Sequence, residues 1–214
     1  MDCCSQSRGI NRLFNKRTAE AELRQYARRG LDRHAQRIVD ALAARGITDQ
    51  SVLEVGAGIG GLHTTLLQRG ASNAIDVDIA SAYIAAAQRL AEQNGLRDRV
   101  TYHEADFASI ADSLPPADIV VMHRVVCCYP DMPALIRAAA EHANRLLALS
   151  FPQSAWYMRL ARRVLNAGMW LQRSGYRFYV HNPQEIERVA VSAGLRPVQS
   201  IGTWPWQIAL FERS

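Results

Sequence analysis

The residues best suited to chemistry in this chain are a run of glycines, three carboxylates around it, and a histidine–arginine pair further on. The glycines form the string Val55-Gly56-Ala57-Gly58-Ile59-Gly60-Gly61. Gly56, Gly58 and Gly60 give a G-x-G-x-G pattern, and Gly56, Gly58 and Gly61 give G-x-G-x-x-G. Glycines at this spacing let the backbone turn sharply from a strand into a helix and come close to a ligand. Glu54 stands immediately before the string. Asp78 lies where the next strand should end, and Asp106-Phe107 follows the one after. Further on, His123-Arg124 leads into Cys127-Cys128-Tyr129-Pro130.

The charges narrow the ligand. A dinucleotide would place its pyrophosphate at such a turn, on a helix N-terminus. A carboxylate at Glu54 repels that phosphate. S-adenosylmethionine has no phosphate and carries an ammonium and a sulfonium, so Glu54 attracts it. Asp78 is placed to accept hydrogen bonds from both ribose hydroxyls. Asp76, on the same strand face, is its rival, and dinucleotide folds also use an acid here. Asp106 can accept from an adenine amino group, with Phe107 beside the ring.

These residues need a scaffold of alternating strands and helices. The first fifty residues read as helices, with Leu23, Tyr26 and Ala27 on one face and Leu31, Ala35, Ile38 and Leu42 on the next. Gly46 should end the second helix. Strands are expected at 51–55, 74–77, 100–103, 117–122 and 146–151. Helices between them begin after the glycine turn, at a Ser81 cap and at an Asp131 cap. Asn182-Pro183-Gln184-Glu185 opens a last helix. Residues 197–201 and 207–212 suit two final strands. The alternation predicts an α/β fold with a doubly wound, mostly parallel sheet.

Residues 51–151 resemble the core of a class I, Rossmann-like S-adenosylmethionine-dependent methyltransferase. The motifs are Leu53-Glu54-Val55-Gly56-Ala57-Gly58-Ile59-Gly60, Asp76-Val77-Asp78-Ile79, Glu104-Ala105-Asp106-Phe107, and Asp118-Ile119-Val120-Val121 leading to Tyr129-Pro130-Asp131. The resemblance implies a seven-stranded sheet with one reversed strand and the cofactor S-adenosylmethionine at the carboxyl ends of the first strands. It implies that Glu54, Gly56, Ala57, Gly58 and Gly60 line the methionine part. It places Asp78 and Ile79 at the ribose, Asp106 and Phe107 at the adenine, and His123 beside the methionine moiety. The same glycine string also opens flavin-dependent monooxygenases, so a flavin or nicotinamide oxidoreductase is an alternative. A non-catalytic S-adenosylmethionine-binding protein is another.

The acceptor is read from what surrounds this core. Residues 1–50 form a helical arm or lid, and 51–214 the methyltransferase domain, with a helical insertion at about 152–181. His123 is the candidate base, or it lines the cofactor pocket without moving a proton. Arg124 suits an anionic substrate or a surface acid. Cys128 and Tyr129 can line the substrate pocket, and Tyr26 can close over it. In the insertion, Tyr157, Leu160, Ala161, Val164, Gly168 and Leu171 share one helical face, with Arg159, Arg163 and Asn166 on the other. Such a basic amphipathic helix can cover a hydrophobic substrate, pack on the sheet, or lie on a membrane surface as a peripheral contact. The layout of this insertion is similar to that of magnesium-protoporphyrin methyltransferases, without a shared motif.

Composition sets the limits. The 214 residues are 49% hydrophobic and 21% charged, which suits one globular α/β domain. The net charge is +5. Residues 8–37 carry nine Arg or Lys against three acids, a balance of +6, so the remainder is near neutral. That basic arm can meet an acidic partner or stand as a solvated face. No Asn-Pro-Pro-aromatic motif follows the fourth strand, which disfavours nucleic acid as substrate. The cysteines fall in adjacent pairs, Cys3-Cys4 and Cys127-Cys128, read as free thiols in a reducing cytoplasm with no metal site. The expected activity is methyl transfer to a small, hydrophobic or anionic acceptor, in a cytoplasmic enzyme.

Overall fold

The computed structural model describes residues 9–214, apart from the side chain of Thr203. Cys3, Cys4 and Arg8 lie outside the described residues. Residues 9–13 are helical, and the helices α1 (Lys16–Arg29) and α2 (Arg33–Ala43) follow. The alternation follows as β1 (Val52–Val55), α3 (Gly61–Gln68), β2 (Ala74–Asp78), α4 (Ser81–Gln93) and β3 (Val100–Glu104). It continues with α5 (Phe107–Ile110), β4 (Ala117–His123), α6 (Met132–His142) and β5 (Ala143–Pro152). The chain ends with α7 (Trp156–Leu171), α8 (Pro183–Ser192), β6 (Leu195–Thr203) and β7 (Trp206–Arg213).

The seven strands form one sheet in the order β3-β2-β1-β4-β5-β7-β6. Strands β1 to β5 pair in parallel, and β7 runs antiparallel to both β5 and β6. Strand order reverses between β1 and β4. A doubly wound sheet opens its crevice at that switch point, above the carboxyl ends of the strands. The glycine turn after β1 and the His123-Arg124 loop after β4 therefore face each other there.

Alternation along the strands divides the core into two layers. On one face of the sheet, Val120 and Met122 of β4 pack with Leu135 and Ile136 of α6 and Ile186 of α8. On the other, Ile119 and Val121 pack with Ile38 and Leu42 of α2 and Leu66 of α3. The second helix of the arm thus contributes to the main core: Ile38, Val39 and Leu42 are fully buried. The first helix is held more lightly. Its Asn15 cap accepts from the Arg17 and Thr18 N–H groups, and Ala19 is its one buried residue. Glu20 pairs with Arg89 at 2.6 Å, and the Tyr83 hydroxyl donates to Glu22 at 2.7 Å.

Several local expectations shift. Ser81 does not cap α4, whose N-cap is Ala80 without a side-chain bond. The carboxylate of Asp78 takes the Ala80 N–H instead, at 2.8 Å. Strand β5 begins at Ala143, three residues before the expected start, because α6 stops at His142 and Ala143 already pairs with Ala117 of β4. The caps at Asp131 and Asn182 are formed as expected.

Helix α7 is turned relative to the expected packing. Leu160, Val164 and Leu171 are exposed, whereas Tyr157, Ala161, Asn166 and Gly168 are half-buried. Asn166 faces inward because its side chain bonds both backbone groups of Phe178, accepting at 2.8 Å and donating at 2.9 Å. The periodicity marks an apolar stripe but does not say which side of the helix meets the protein.

Candidate active site

At the switch point the structure has one continuous cavity of about 790 Å³. Sites for small molecules span about 300–1,000 Å³, so this one has room for a cofactor and an acceptor side by side. Its floor is the glycine turn. Gly56, Gly58 and Gly60 all sit at positive φ, 65°, 59° and 73°. A side chain at Gly56 would place its Cβ 2.5 Å from Val125 Cγ2. The turn therefore needs glycine both for its backbone shape and for the approach of the loop after β4.

Most of the expected cofactor residues meet at this cavity. Glu54, Gly56, Ala57, Gly58, Asp78, Ile79, Asp106, Phe107 and His123 all line it. Gly60 does not. It caps α3, and a Cβ there would come within 2.6 Å of the His63 ring. Glu54 is buried, and its Oε2 accepts from the His63 backbone N–H at 3.0 Å, with His63 Nδ1 at 2.9 Å.

Asp78 is the hub. Its Oδ2 accepts from Gly58 N–H at 2.9 Å, so the carboxylate at the end of β2 braces the turn after β1. Burial pushes its carboxyl up to about 6, against the lowering effect of the Ala80 and Gly58 N–H groups. The rival Asp76 stays out of the cavity wall. It is fully buried, with neither carboxyl oxygen hydrogen-bonded. Burial, with Glu54 and Asp78 nearby, pushes its carboxyl well above the usual range.

Asp106 caps α5 and accepts from the Tyr129 hydroxyl at 3.2 Å. Tyr129 thus stands at the Asp106 end of the cavity. Phe107 is buried there, edge-on to His142. Tyr26 reaches over the turn from α1. Its ring packs on Gly61, and its hydroxyl is 3.2 Å from Thr65 Oγ1. Cys128 lines the cavity, with its Sγ 3.1 Å from the Tyr176 hydroxyl.

The donor set fits a cationic nucleoside ligand. Six carboxylates line the cavity: Glu22, Asp32, Glu54, Asp78, Asp106 and Asp131. Among the described lining residues, Arg124 is the one Arg or Lys. A pyrophosphate would find no cation at the glycine turn, whereas an ammonium and a sulfonium meet acids.

One cluster escaped the sequence reading. Asp32, the N-cap of α2, places Oδ2 3.2 Å from the Arg124 guanidinium and 3.5 Å from His123 Nε2. Burial raises its carboxyl, but the His123 contact and the Arg124 charge outweigh that and hold it well below the usual range. On the far side of the ring, His123 Nδ1 is 2.8 Å from Ser150 Oγ, which itself accepts from the Arg124 N–H. His123 Nδ1 is thus bonded to Ser150, while Nε2 is buried beside Asp32 without a hydrogen bond. The Arg124 guanidinium also lies 5.1 Å from the Trp206 ring centroid, in cation–π range. Its charge is met within the protein.

Asp32 was hidden because its partner Arg124 lies about ninety residues further along the chain. Leu31, Tyr176, Phe178 and Trp206, which complete the apolar wall, were missed for a similar reason. They come from three separate stretches of chain, and no local pattern joins them.

The glycine geometry separates two conservative substitutions. Gly56→Ala is expected to cost about 1–3 kcal/mol and to weaken S-adenosylmethionine binding at least tenfold. Gly58→Ala should be milder, because its Cβ meets Tyr83 only at an ordinary 3.5 Å. Thermal melts and calorimetric titration of both variants check the ranking. Equal effects would contradict it.

Residues 24–200 match the family described as methyltransferase domain. No curated protein matches significantly. Among solved structures, magnesium protoporphyrin IX methyltransferase from Synechocystis, with bound SAH, aligns at a TM-score of 0.75 and 23% identity, covering 98% of this chain and 100% of that one. An O-methyltransferase family 2 protein from Planctomyces limnophilus, in complex with apigenin, aligns at 0.63 and 20% identity, covering 87% and 63%. A TehB-like SAM-dependent methyltransferase from Corynebacterium glutamicum aligns at 0.65 and 14%, covering 93% and 98%. At these identities the structural likenesses speak for the fold. With the family match over most of the chain and a cavity suited to the cofactor, the chain belongs to the methyltransferase-domain family and is a class I S-adenosylmethionine-dependent methyltransferase.

Proposed function

We propose that this enzyme methylates a flat, largely apolar small molecule held between the glycine turn and an aromatic wall. The observation that carries this reading is the apolar lining itself: Leu31, Val125, Tyr176, Phe178 and Trp206 share the cavity with the expected cofactor residues. The alternative of an anionic acceptor loses its anchor, because Arg124 is already paired with Asp32 at 3.2 Å. Two structural neighbours are in keeping with the choice, one a magnesium protoporphyrin IX methyltransferase and the other bound to apigenin.

In this reading Glu54, Gly56, Ala57 and Gly58 hold the methionine part, with Gly60 shaping the turn from behind. Asp78 and Ile79 hold the ribose, and Asp106 and Phe107 the adenine. Bound S-adenosylmethionine supplies an electrophilic methyl group on sulfur. The protein's task is to align the acceptor atom with that carbon and to exclude water. Residues 1–50 serve as the arm: α2 anchors it in the core, and Tyr26 and Asp32 close it over the cavity. Residues 51–214 serve as the methyltransferase domain. Arg124, Cys128 and Tyr129 border the acceptor.

His123 has both ring nitrogens turned to Ser150 and Asp32, so it positions the arm and lines the methionine end without taking a proton. General-base catalysis contributes about 10²–10⁴-fold. His123→Gln is therefore expected to keep turnover within about tenfold of the parent. A loss of about a thousandfold in single-turnover assays would make His123 the base.

Asp78→Ala removes a charged acceptor worth about 1.5–3 kcal/mol, so the S-adenosylmethionine Kd should rise about ten- to a hundredfold. The carboxylate form of Asp78 prevails above its raised pKa of about 6. Cofactor affinity should thus fall as the pH drops through about 6, and Asp78→Asn should flatten that dependence. Calorimetry across pH measures both, and unchanged affinity in Asp78→Ala would overturn the ribose assignment.

For the acceptor, the direct test is a mass-spectrometric screen for gain of one methyl group. Polycyclic phenols should be methylated, and small amines and short-chain acids should not. Methylation confined to the small polar set would overturn the proposal.

A further inference from the structure

Helix α7 presents a face that the described residues of this chain do not cover. Trp156, Val164, Trp170 and Leu171 are between 65% and 77% exposed, and Leu160 is 53% exposed. None of the helix's sixteen residues is buried. Its inner side is nevertheless tied down. Asn166 clamps the backbone of Phe178, and the segment beyond it is pinned where Tyr179 N–H donates to Cys127 O at 2.7 Å. The helix is therefore held in place with its apolar side outward. A further exposed indole, Trp204, sits on the hairpin bonded to Gln153 just before α7.

The charges around this face are all of one sign. Between Gln153 and Gln184 there are five arginines and no Asp or Glu. Arg159 and Arg163 are exposed among the apolar residues. A second cavity, of about 520 Å³, opens at the polar edge of the same helix. Arg159, Arg162, His181, Asn182 and Ser154 line it, and no carboxylate does.

We propose that α7 docks this enzyme on an anionic lipid surface. Its apolar side chains enter the headgroup–acyl boundary, and Arg159 and Arg162 receive headgroup phosphates at the second cavity. Indoles near both ends of the helix suit that boundary, where one edge of the ring is wet and the other apolar. Arginine suits phosphate through its planar fork of donors. A second copy of this chain is a poor occupant. A two-fold contact through this face would set Arg159 and Arg163 of one copy against the same residues of the other. The inference stands apart from the identity of the methyl acceptor and needs only the geometry of α7.

Full-length protein would be floated with vesicles of phosphatidylcholine alone and with vesicles containing phosphatidylglycerol. Partition should favour the anionic vesicles at least about tenfold, fall with salt, and shift tryptophan emission to the blue. The variant Leu160→Gln/Val164→Gln/Trp170→Gln should lose at least about tenfold in partition while retaining parental S-adenosylmethionine affinity, which shows that it is folded. Arg159→Gln/Arg162→Gln should lose the preference for anionic vesicles. Several outcomes would overturn the proposal: no partition of the parent protein, unchanged partition of the folded triple variant, or binding of inorganic phosphate without partition. So would a lipid-free dimer that the triple variant dissolves.

Discussion

The carboxylate of Asp78 accepts N–H groups from two directions, Gly58 on the turn after β1 and Ala80 at the start of α4. The Gly58 bond ties the turn after β1 to the end of the neighbouring strand β2. In that turn Gly56, Gly58 and Gly60 take left-handed conformations that a β-carbon would strain. A carboxylate buried this way is pushed up toward neutrality, and the backbone N–H groups work against that. Much of the site follows from this constraint. The turn stays open to a ligand, α3 starts behind it, and the loop after β4 comes down onto Gly56 through Val125.

The acids around the turn then select what it holds. Among the described residues six carboxylates line the cavity, and the one Arg there, Arg124, is neutralised by Asp32. Such a lining attracts a sulfonium-bearing nucleoside and repels a pyrophosphate. The link between Asp32, Arg124 and His123 has a second consequence. It joins the N-cap of α2 to the loop after β4 by charge. The helix that carries Asp32 is itself anchored by fully buried Ile38, Val39 and Leu42.

What could be read from the sequence was what is local along the chain. The glycine string, Glu54 and the acids at strand ends are set by short-range geometry, and they stand where the pattern put them, with Gly60 set behind the wall. The parallel sheet was readable because buried strands such as Val120–Met122 are continuous and apolar, and because helix caps at Asp131 and Asn182 punctuate them. The misread parts depend on distant partners. Ser81 yielded its capping role to Asp78, three residues earlier. Asp32 gained its role from Arg124 and His123, which lie far along the chain. The inward side of α7 was set by Asn166 gripping Phe178, a contact that no hydrophobic period announces. The apolar wall of Leu31, Tyr176, Phe178 and Trp206 exists only once the arm, the segment after α7 and β7 converge.

The central claim is that the acids around the glycine turn choose the ligand. It is tested most directly by calorimetric titration of the purified protein with S-adenosylmethionine and, separately, with NAD. The account predicts one S-adenosylmethionine bound per chain and no measurable heat with NAD. Binding of NAD, or silence toward S-adenosylmethionine at millimolar ligand, would contradict it.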